Sequence, residues 1–286
     1  MAGIMNKVWI LLFWTFASLA QIPEPPRLIV RGDDMGYSHS GNLALIQSSL
    51  QGIQTSIEVI VPSPWFPEAV QLLQQHPNID VGIHLALTSE WDKVKWRPLT
   101  EAKSLRDSDG YFFPMVYANK NYPGAAIVEN KFSLADIEVE FRAQIELAKK
   151  KIPRISHISA HMGCSRINDE VNQLTKKLAK EYHLIFENTL YPFERASYDG
   201  PKETSAQKID SFINMLRNLQ AGKTYCFVDH PGLDDAELRA ISHVGYEGVA
   251  VDRQGVTDVF TSQKVKDAIE ALGIKLISYR DLGPLP

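Results

Sequence analysis

The strongest constraint on the fold is a regular alternation of short apolar runs with amphipathic stretches along the chain. The apolar runs predict strands at 28–30, 56–61, 79–85, 155–160, 184–186, 224–228, 248–251 and 275–278. The amphipathic stretches predict helices at 43–50, 66–75, 134–152, 169–182, 206–219, 234–241 and 265–272. About eight strands, most of them followed by a helix, predict a closed or nearly closed parallel β/α barrel. The alternative is an open doubly wound sheet.

One long segment interrupts this alternation after the third strand. Residues 88–132 contain glycine, proline and many aromatic side chains, but no periodic pattern. Loops of this length are usually functional, inserted or disordered, and the aromatic content argues against disorder. We therefore predict an α/β fold: a closed or nearly closed single-domain (β/α) barrel over residues 21–286, with an aromatic-rich insertion over 88–132 that forms a substrate loop.

The N-terminal segment has the layout of a signal peptide. Lys7 precedes an apolar run over 8–16, and small residues follow at Ser18 and Ala20. This predicts cleavage after Ala20 and a secreted or periplasmic protein. The apolar run is short for a membrane span, so we expect no stable membrane insertion after cleavage. An uncleaved anchor is the alternative.

Charge and cysteine content narrow the function classes. The net charge of -4 and the scattered basic residues give no reason to expect a nucleic acid partner. Two cysteines, Cys164 and Cys226, are too few for a disulfide framework. An oxidising compartment would permit one bridge between them. The simpler interpretation is that both are small buried side chains.

Ligand-type side chains fall at the ends of predicted strands. Asp33 and Asp34 follow the first strand, His84 ends the third, His161 ends the fourth, and His230 ends a later one. The C-terminal ends of barrel strands share one face, so these residues are expected to converge. Asp34, His84 and His161 would form a two-histidine, one-carboxylate site for a divalent ion, zinc or magnesium. Asp33 is then available to take a proton from water.

Each of these residues also has a structural interpretation. An adjacent pair such as Asp33 and Asp34 is often only a turn or a helix cap. A lone histidine such as His84, within an apolar strand, is often a hydrogen-bonded core residue. His157 lies four residues before His161 and is the reserve ligand of the fourth strand.

The chain resembles the YdjC-like (ChbG-type) carbohydrate deacetylases, which are related to the NodB-type polysaccharide deacetylases. The similarity covers nearly all of the mature chain. It rests on the order and spacing of 31–36, Asn42, 52–56, 81–88, 156–163, 230–232, Arg253 and 265–282. The resemblance implies that residues 21–286 form one deacetylase domain with the fold of a distorted β/α barrel.

The resemblance also implies roles for the residues at the strand ends. The metal ligands would be Asp34, His84 and His161. Asp33 would be the general base. His230 would be the general acid or an oxyanion partner. The implied reaction removes N-acetyl groups from amino sugars or oligosaccharides by means of a metal-activated water.

Four further residues are candidates for the substrate side of the site. Arg253 resembles a residue that orients the site. Ser159 stands where many members of the family carry an aspartate, a difference that bears on substrate choice more than on the reaction. Trp91 and Trp96 are expected either to stack on sugar rings or to pack the insertion against the barrel or a second subunit.

An N-acetylated mono- or oligosaccharide is therefore the expected partner, and a homodimer is a further expectation. Two other functions stay open at this stage. Ser159 and the signal peptide motivate a secreted carbohydrate-binding protein with weakened or lost catalysis. The metal site is also compatible with an esterase or amidase that acts on another acyl substrate.

Overall fold

The computed structural model describes residues 24–186 and 193–283. The predicted signal segment 1–20 lies outside the described residues. None of the described helices combines the length and apolar character needed to cross a bilayer. Cys164 and Cys226 are both buried, and no disulfide joins them in the described part of the chain.

The strands form one parallel sheet. In chain order they are β1 (Arg27–Met35), β2 (Ser56–Val59), β3 (Asp80–Leu85), β4 (His157–Ala160), β5 (Ile185–Phe186), β6 (Glu194–Ala196), β7 (Thr224–Asp229) and β8 (Lys275–Leu276). The order across the sheet is β5-β4-β3-β2-β1-β7-β6, and β8 pairs with the start of β1. The sheet curls into a half-barrel flanked by helices, which confirms the predicted distorted β/α barrel.

Helices cover the sheet between the strands. They are α1 (His39–Gln51), α2 (Phe66–Gln75), α3 (Leu134–Lys151), α4 (Asp169–Glu181), α5 (Ser205–Arg217), α6 (Ala236–Arg239), α7 (Val249–Thr261) and α8 (Gln263–Ala271). Side-chain caps fix where several of them begin. Ser133 accepts a hydrogen bond from the Asp136 amide, and Asn168 accepts one from the Val171 amide. Both are helix N-caps with extended backbone.

The core lies on the two faces of the sheet. Leu28, Ile29 and Val30 in β1 are all fully buried. Leu28 and Val30 pack against the helices on the outer face of the sheet, whereas Ile29 packs inside the curled sheet with Cys226 and Tyr279, so neither face is left to solvent. In α3, the buried side chains of Ile137 and Phe141 lie one turn apart and face the sheet. The central strands are therefore rigid elements on which side chains can be held accurately.

Two strand predictions differ from the structure. The predicted strand at 248–251 is wrong, because Gly248 is the N-cap of α7 and the following residues form its first turn. The buried side chains of α7 recur at helical spacing, with Val249, Arg253, Val256 and Phe260 on the inner side. A short apolar run with two valines, Val249 and Val251, conceals that longer period. The sequence pattern does not predict β6, since this strand has three residues of which two are exposed.

The insertion after β3 packs as an irregular layer. Between β3 and α3, its described regular structure consists of 3-10 turns at Lys103–Leu105 and Ile127–Glu129. Glu140 of α3 anchors it, because its carboxylate accepts hydrogen bonds from the Leu99 and Thr100 amides at 3.1 Å each. Its aromatic side chains supply much of the contact with the barrel.

Candidate metal centre

The C-terminal end of β1 departs from regular strand geometry. Its register with β2 shifts between Gly32 and Met35, and Asp34 has a positive φ of 74°. A non-glycine residue in the left-handed region is uncommon and frequently marks a functional site. The local bend interrupts the alternation of side chains, so the adjacent carboxylates of Asp33 and Asp34 both approach His84.

Three of the predicted residues converge at this bend. Asp34 Oδ1 lies 3.1 Å from His161 Nδ1 and 3.5 Å from His84 Nε2. One donor atom from each residue lies within 4.8 Å of the other two, and all three residues are buried. Asp34 Oδ1 accepts no hydrogen bond from any residue that the structure describes. A buried carboxylate oxygen that faces two imidazole nitrogens fits the donor set of a divalent cation.

The second oxygen of Asp34 is held by Arg253. Arg253 Nη2 donates to Asp34 Oδ2 at 2.8 Å. The guanidinium lies over two rings, 4.7 Å from the centroid of Tyr37 and 5.2 Å from that of Trp91. Arg253 thus fixes the orientation of the carboxylate and leaves Oδ1 directed at the two histidines.

The electrostatic surroundings keep Asp34 ionised. Burial by itself raises the pKa of a carboxyl group. The imidazoles of His230 and His161, followed by Arg253, outweigh burial and hold the pKa of Asp34 well below its ordinary value. A charged oxygen is therefore available to a cation across the neutral pH range.

Asp33 is the second carboxylate at the centre and is held by Arg31. Arg31 Nε donates to Asp33 Oδ1 at 2.8 Å, and Nη2 donates to Oδ2 at 3.0 Å. Burial and the nearby Glu58 outweigh this guanidinium and raise the pKa of Asp33 to about 6. Asp33 Oδ2 lies 3.6 Å from His84 Nε2. Arg31 belongs to the motif around Asp33, but no sequence pattern assigns it a role of its own.

Each histidine has an outer hydrogen-bond partner. His84 Nδ1 lies 2.6 Å from Ser159 Oγ, and His161 Nε2 lies 2.9 Å from Glu90 Oε2. Such partners set the tautomer and the orientation of metal-binding imidazoles. Burial and His161 lower the pKa of His84 to about 3 despite Asp34, whereas Glu90 and Asp34 outweigh burial and raise the pKa of His161 to about 10.

His230 lies directly after β7 and borders the centre. Its Nε2 is 3.8 Å from Asp34 Oδ2, and its Nδ1 is 3.5 Å from Asp229 Oδ1. The side chain is 39% exposed, so one edge of the ring is accessible from the pocket. Burial lowers its pKa, but Asp34 and Asp229 outweigh burial and raise the pKa of His230 above its ordinary value.

His157, the alternative ligand predicted on the fourth strand, is not among the residues that converge at this bend. His157 begins β4, is fully buried, and stacks on Tyr279 with ring centroids 3.6 Å apart. Its Nε2 contacts Glu58 rather than the Asp34 carboxylate. Among the described residues it is not part of the cluster of potential ligands.

The predicted substrate residues take different positions. Trp91 and Trp96 are 1% and 3% exposed, which favours their packing role over stacking on a sugar. Ser159 is fully buried beneath His84, so its described contacts are with the site rather than with a ligand in the pocket. Glu90, by contrast, lies in the insertion and reaches the centre, although no local pattern singles it out.

An open pocket of about 350 Å³ leads to the centre. Its wall includes Asp33, His84 and His230 from the predicted site, together with Arg31, Met162 and Phe193. This volume falls within the range of roughly 300–1,000 Å³ that is common for small-molecule sites. A substrate in this pocket would contact the candidate base and the candidate acid.

The fold and the centre define a class of α/β half-barrel proteins with a candidate metal site at the strand ends. Residues 27–271 match the family model described as YdjC-like protein, and the chain belongs to this family.

Similar proteins carry the name carbohydrate deacetylase. One from Enterococcus faecalis is 29% identical over 272 residues, covering 90% of this chain and 98% of the relative. Another, from Thermus thermophilus, is 29% identical over 235 residues, covering 75% of this chain and 80% of the relative. A crystal structure of an Enterococcus faecalis protein matches with a TM-score of 0.72 and 25% identity, covering 91% of this chain and all of that one.

Proposed function

We propose that the protein is a metal-dependent hydrolase that removes acetyl groups from the nitrogen of amino sugars. The observation that carries this proposal is the convergence of Asp34, His84 and His161, with Asp33 beside them at the end of an open pocket. Relatives named carbohydrate deacetylase support a carbohydrate substrate. A pure sugar-binding protein has no need of buried metal ligands and an adjacent base.

The metal would be held by Asp34 Oδ1, His161 Nδ1 and His84 Nε2, which are the atoms that face one another. Two histidines and one carboxylate leave open coordination positions, as catalytic sites require. When bound, such an ion supplies Lewis acidity to the amide carbonyl and acidifies a water molecule.

The chain itself supplies the proton transfers. Asp33, with a pKa of about 6, is largely ionised at neutral pH and can accept a proton from the attacking water. Arg31 keeps both of its oxygens oriented. His230 has a raised pKa and an accessible ring edge, so it can donate a proton to the departing nitrogen. An amine leaves poorly unless it is protonated, and a general acid meets that need.

The first experiment measures acetate release from N-acetylated chito-oligosaccharides with and without a chelator. We expect release by the metal-loaded protein, loss with the chelator, and recovery when zinc is restored. A parallel assay on acetyl esters and acetylated peptides separates a sugar deacetylase from another esterase or amidase. Release that is indifferent to the chelator, or that is confined to esters or peptides, would contradict the proposal.

The second experiment tests the two proton-transfer roles. Asp33→Asn and His230→Ala should each lower turnover by roughly a hundredfold or more, the scale associated with losing a general acid or base. Both variants should still bind zinc, because neither residue is in the proposed ligand set. Turnover close to wild type in both variants would refute the assignment of roles.

A further inference from the structure

A fully buried carboxylate lies behind the metal centre and takes no part in the proposed reaction. Glu58 is in the middle of β2 and has no exposed surface. Burying an ionised carboxylate is costly unless it is paired and hydrogen-bonded. Burial raises the pKa of Glu58, but His157 and then Arg31 outweigh burial and hold the pKa at about 2. This strand therefore carries a negative charge inside the protein.

The carboxylate connects to a metal ligand through one hydroxyl group. Ser159 Oγ donates a hydrogen bond to Glu58 Oε2. The same hydroxyl oxygen lies 2.6 Å from His84 Nδ1. Glu58 Oε1 contacts His157 Nε2, and the Arg31 guanidinium lies 4.0 Å away. Glu58 is thus held on one side by His157 and Arg31 and directed towards Ser159 on the other.

The direction of the protons follows from the chemistry of the three groups. An ionised carboxylate only accepts hydrogen bonds, and a serine hydroxyl has a single proton to donate. With that proton directed at Glu58, Ser159 Oγ can only accept from His84. The proton of the neutral imidazole must then be on Nδ1, which leaves the Nε2 lone pair facing Asp34.

The backbone is shaped to leave room for this arrangement. Glu58, Gly82 and His157 are lateral neighbours on adjacent strands. A Cβ atom at Gly82 would lie 2.6 Å from both carboxylate oxygens of Glu58. Glycine at this position therefore allows the carboxylate to lie flat across β3.

We propose that Glu58 is a positioning residue of the metal centre: through the Ser159 hydroxyl, it fixes His84 in the tautomer that presents Nε2 to the cation. The proposal rests on the proposed metal site. Glu58 does not touch the substrate or the cation, and it acts only through Ser159 and His84. The serine and the glutamate together perform the task that a single carboxylate at position 159 could perform directly.

The first test measures Zn²⁺ affinity by competition with a chromogenic chelator. Glu58→Gln removes the obligatory acceptor, since an amide can donate as well as accept, and Ser159→Ala removes the link. Each should weaken Zn²⁺ binding by about 10- to 100-fold, the effect usual for outer partners of metal ligands. Ser211→Ala is the matched control, because Ser211 is also buried but donates to the Pro201 carbonyl from within α5. The Zn²⁺ affinity of Ser211→Ala should equal that of wild type.

The second test is a rescue. In Glu58→Gln/Ser159→Asp the new carboxylate can accept directly from His84 Nδ1, and the side-chain amide introduced at position 58 can donate to it. This double variant should recover most of the affinity that Glu58→Gln loses. A merely structural role for Glu58 predicts no recovery, because the double change disturbs the buried cluster further.

The third readout needs no metal. Nitrogen chemical shifts of labelled histidines in the metal-free protein, assigned with His84→Gln, should report an Nδ1-protonated His84 in wild type and a mixture of tautomers in Ser159→Ala. If wild type binds neither zinc nor magnesium, the proposed function fails, while the tautomer still tests the positioning role. Wild-type affinity and tautomer in folded Ser159→Ala, or no recovery in the double variant, would overturn the inference. If Glu58→Gln fails to fold, Ser159→Ala alone decides.

Discussion

The two histidines of the candidate centre are supported by different parts of the molecule. His84 lies within β3, and its partner Ser159 lies on the adjacent strand β4. His161 lies in the turn after β4, and its partner Glu90 comes from the irregular insertion. The first support is built into a hydrogen-bonded sheet, whereas the second depends on a docked loop. The orientation of His84 is therefore fixed by the sheet, whereas the orientation of His161 depends on how firmly the insertion packs.

The largest effect should come from Asp34, which faces both histidines. Asp34→Asn retains a residue that tolerates the left-handed backbone but removes the charge. We expect its Zn²⁺ affinity to fall by more than the roughly 100-fold that outer partners account for. Chelator competition measures the loss, and an unchanged thermal transition of the metal-free protein serves as the control. Affinity near wild type would remove Asp34 from the ligand set.

Glu90→Gln tests only the support that the insertion gives to His161. The substitution keeps the size of the side chain but removes the charge that faces His161 Nε2. Zn²⁺ affinity should fall by about 10- to 100-fold, as for other outer partners. The tautomer of His84 in the metal-free protein should stay as in wild type. A changed His84 tautomer would show that the two supports are not independent.

Weakening the contacts between Glu140 and the insertion should also affect the His161 side of the centre, with a smaller loss of Zn²⁺ affinity. Glu140→Gln weakens the hydrogen bonds to the Leu99 and Thr100 amides. A remote change of this kind is expected to weaken Zn²⁺ binding by about 0.5–2 kcal/mol. In the double variant Glu90→Gln/Glu140→Gln, Zn²⁺ affinity should be little lower than in Glu90→Gln alone. The contact between Glu90 and His161 that Glu140 supports is already lost in that single variant. Full additivity of the two losses would contradict the loop dependence.

The last prediction concerns how zinc binding protects backbone amides from hydrogen exchange. Zinc at about 100 times its dissociation constant should stabilise the folded protein by roughly 2.7 kcal/mol. We expect the added protection against local opening to appear mainly in residues 88–132, because amides of the central strand β3 are already well protected. Exchange mass spectrometry with and without zinc measures both segments. Equal gains in protection in residues 88–132 and in β3 would contradict the difference between the two supports.

The inner residues of the site could be predicted from the sequence, because parallel strands end at one edge of a sheet. Asp33, Asp34, His84, His161 and His230 each follow or end an apolar run, so topology alone brings them close. Their separation in the chain is irrelevant once the strand order is known. Position at a strand end does not by itself distinguish a ligand from a base, so the assignment of Asp34 as ligand and Asp33 as base rests on the family resemblance and stays a prediction.

The outer partners could not be found in this way. Glu58 lies between Ile57 and Val59, and nothing local to that run shows that its carboxylate reaches across two strands. The available signal is indirect: a charged residue on a strand covered on both faces requires a buried partner. Glu90 has no such signal, because its position depends on how an aperiodic loop docks. Tertiary contacts also determine the structure of residues 248–251, where a short apolar run with two valines is part of a longer helical period.

The left-handed backbone of Asp34 has a consequence for which residues that position can accommodate. Glycine and asparagine suit the bend but bring no charge, and glutamate brings charge on a longer side chain in a conformation it adopts poorly. Aspartate alone satisfies both demands, so substitutions that would count as conservative elsewhere are barred here. The backbone conformation at position 34 therefore limits which substitutions the centre can accept, because one residue must both adopt a positive φ and supply a charged oxygen.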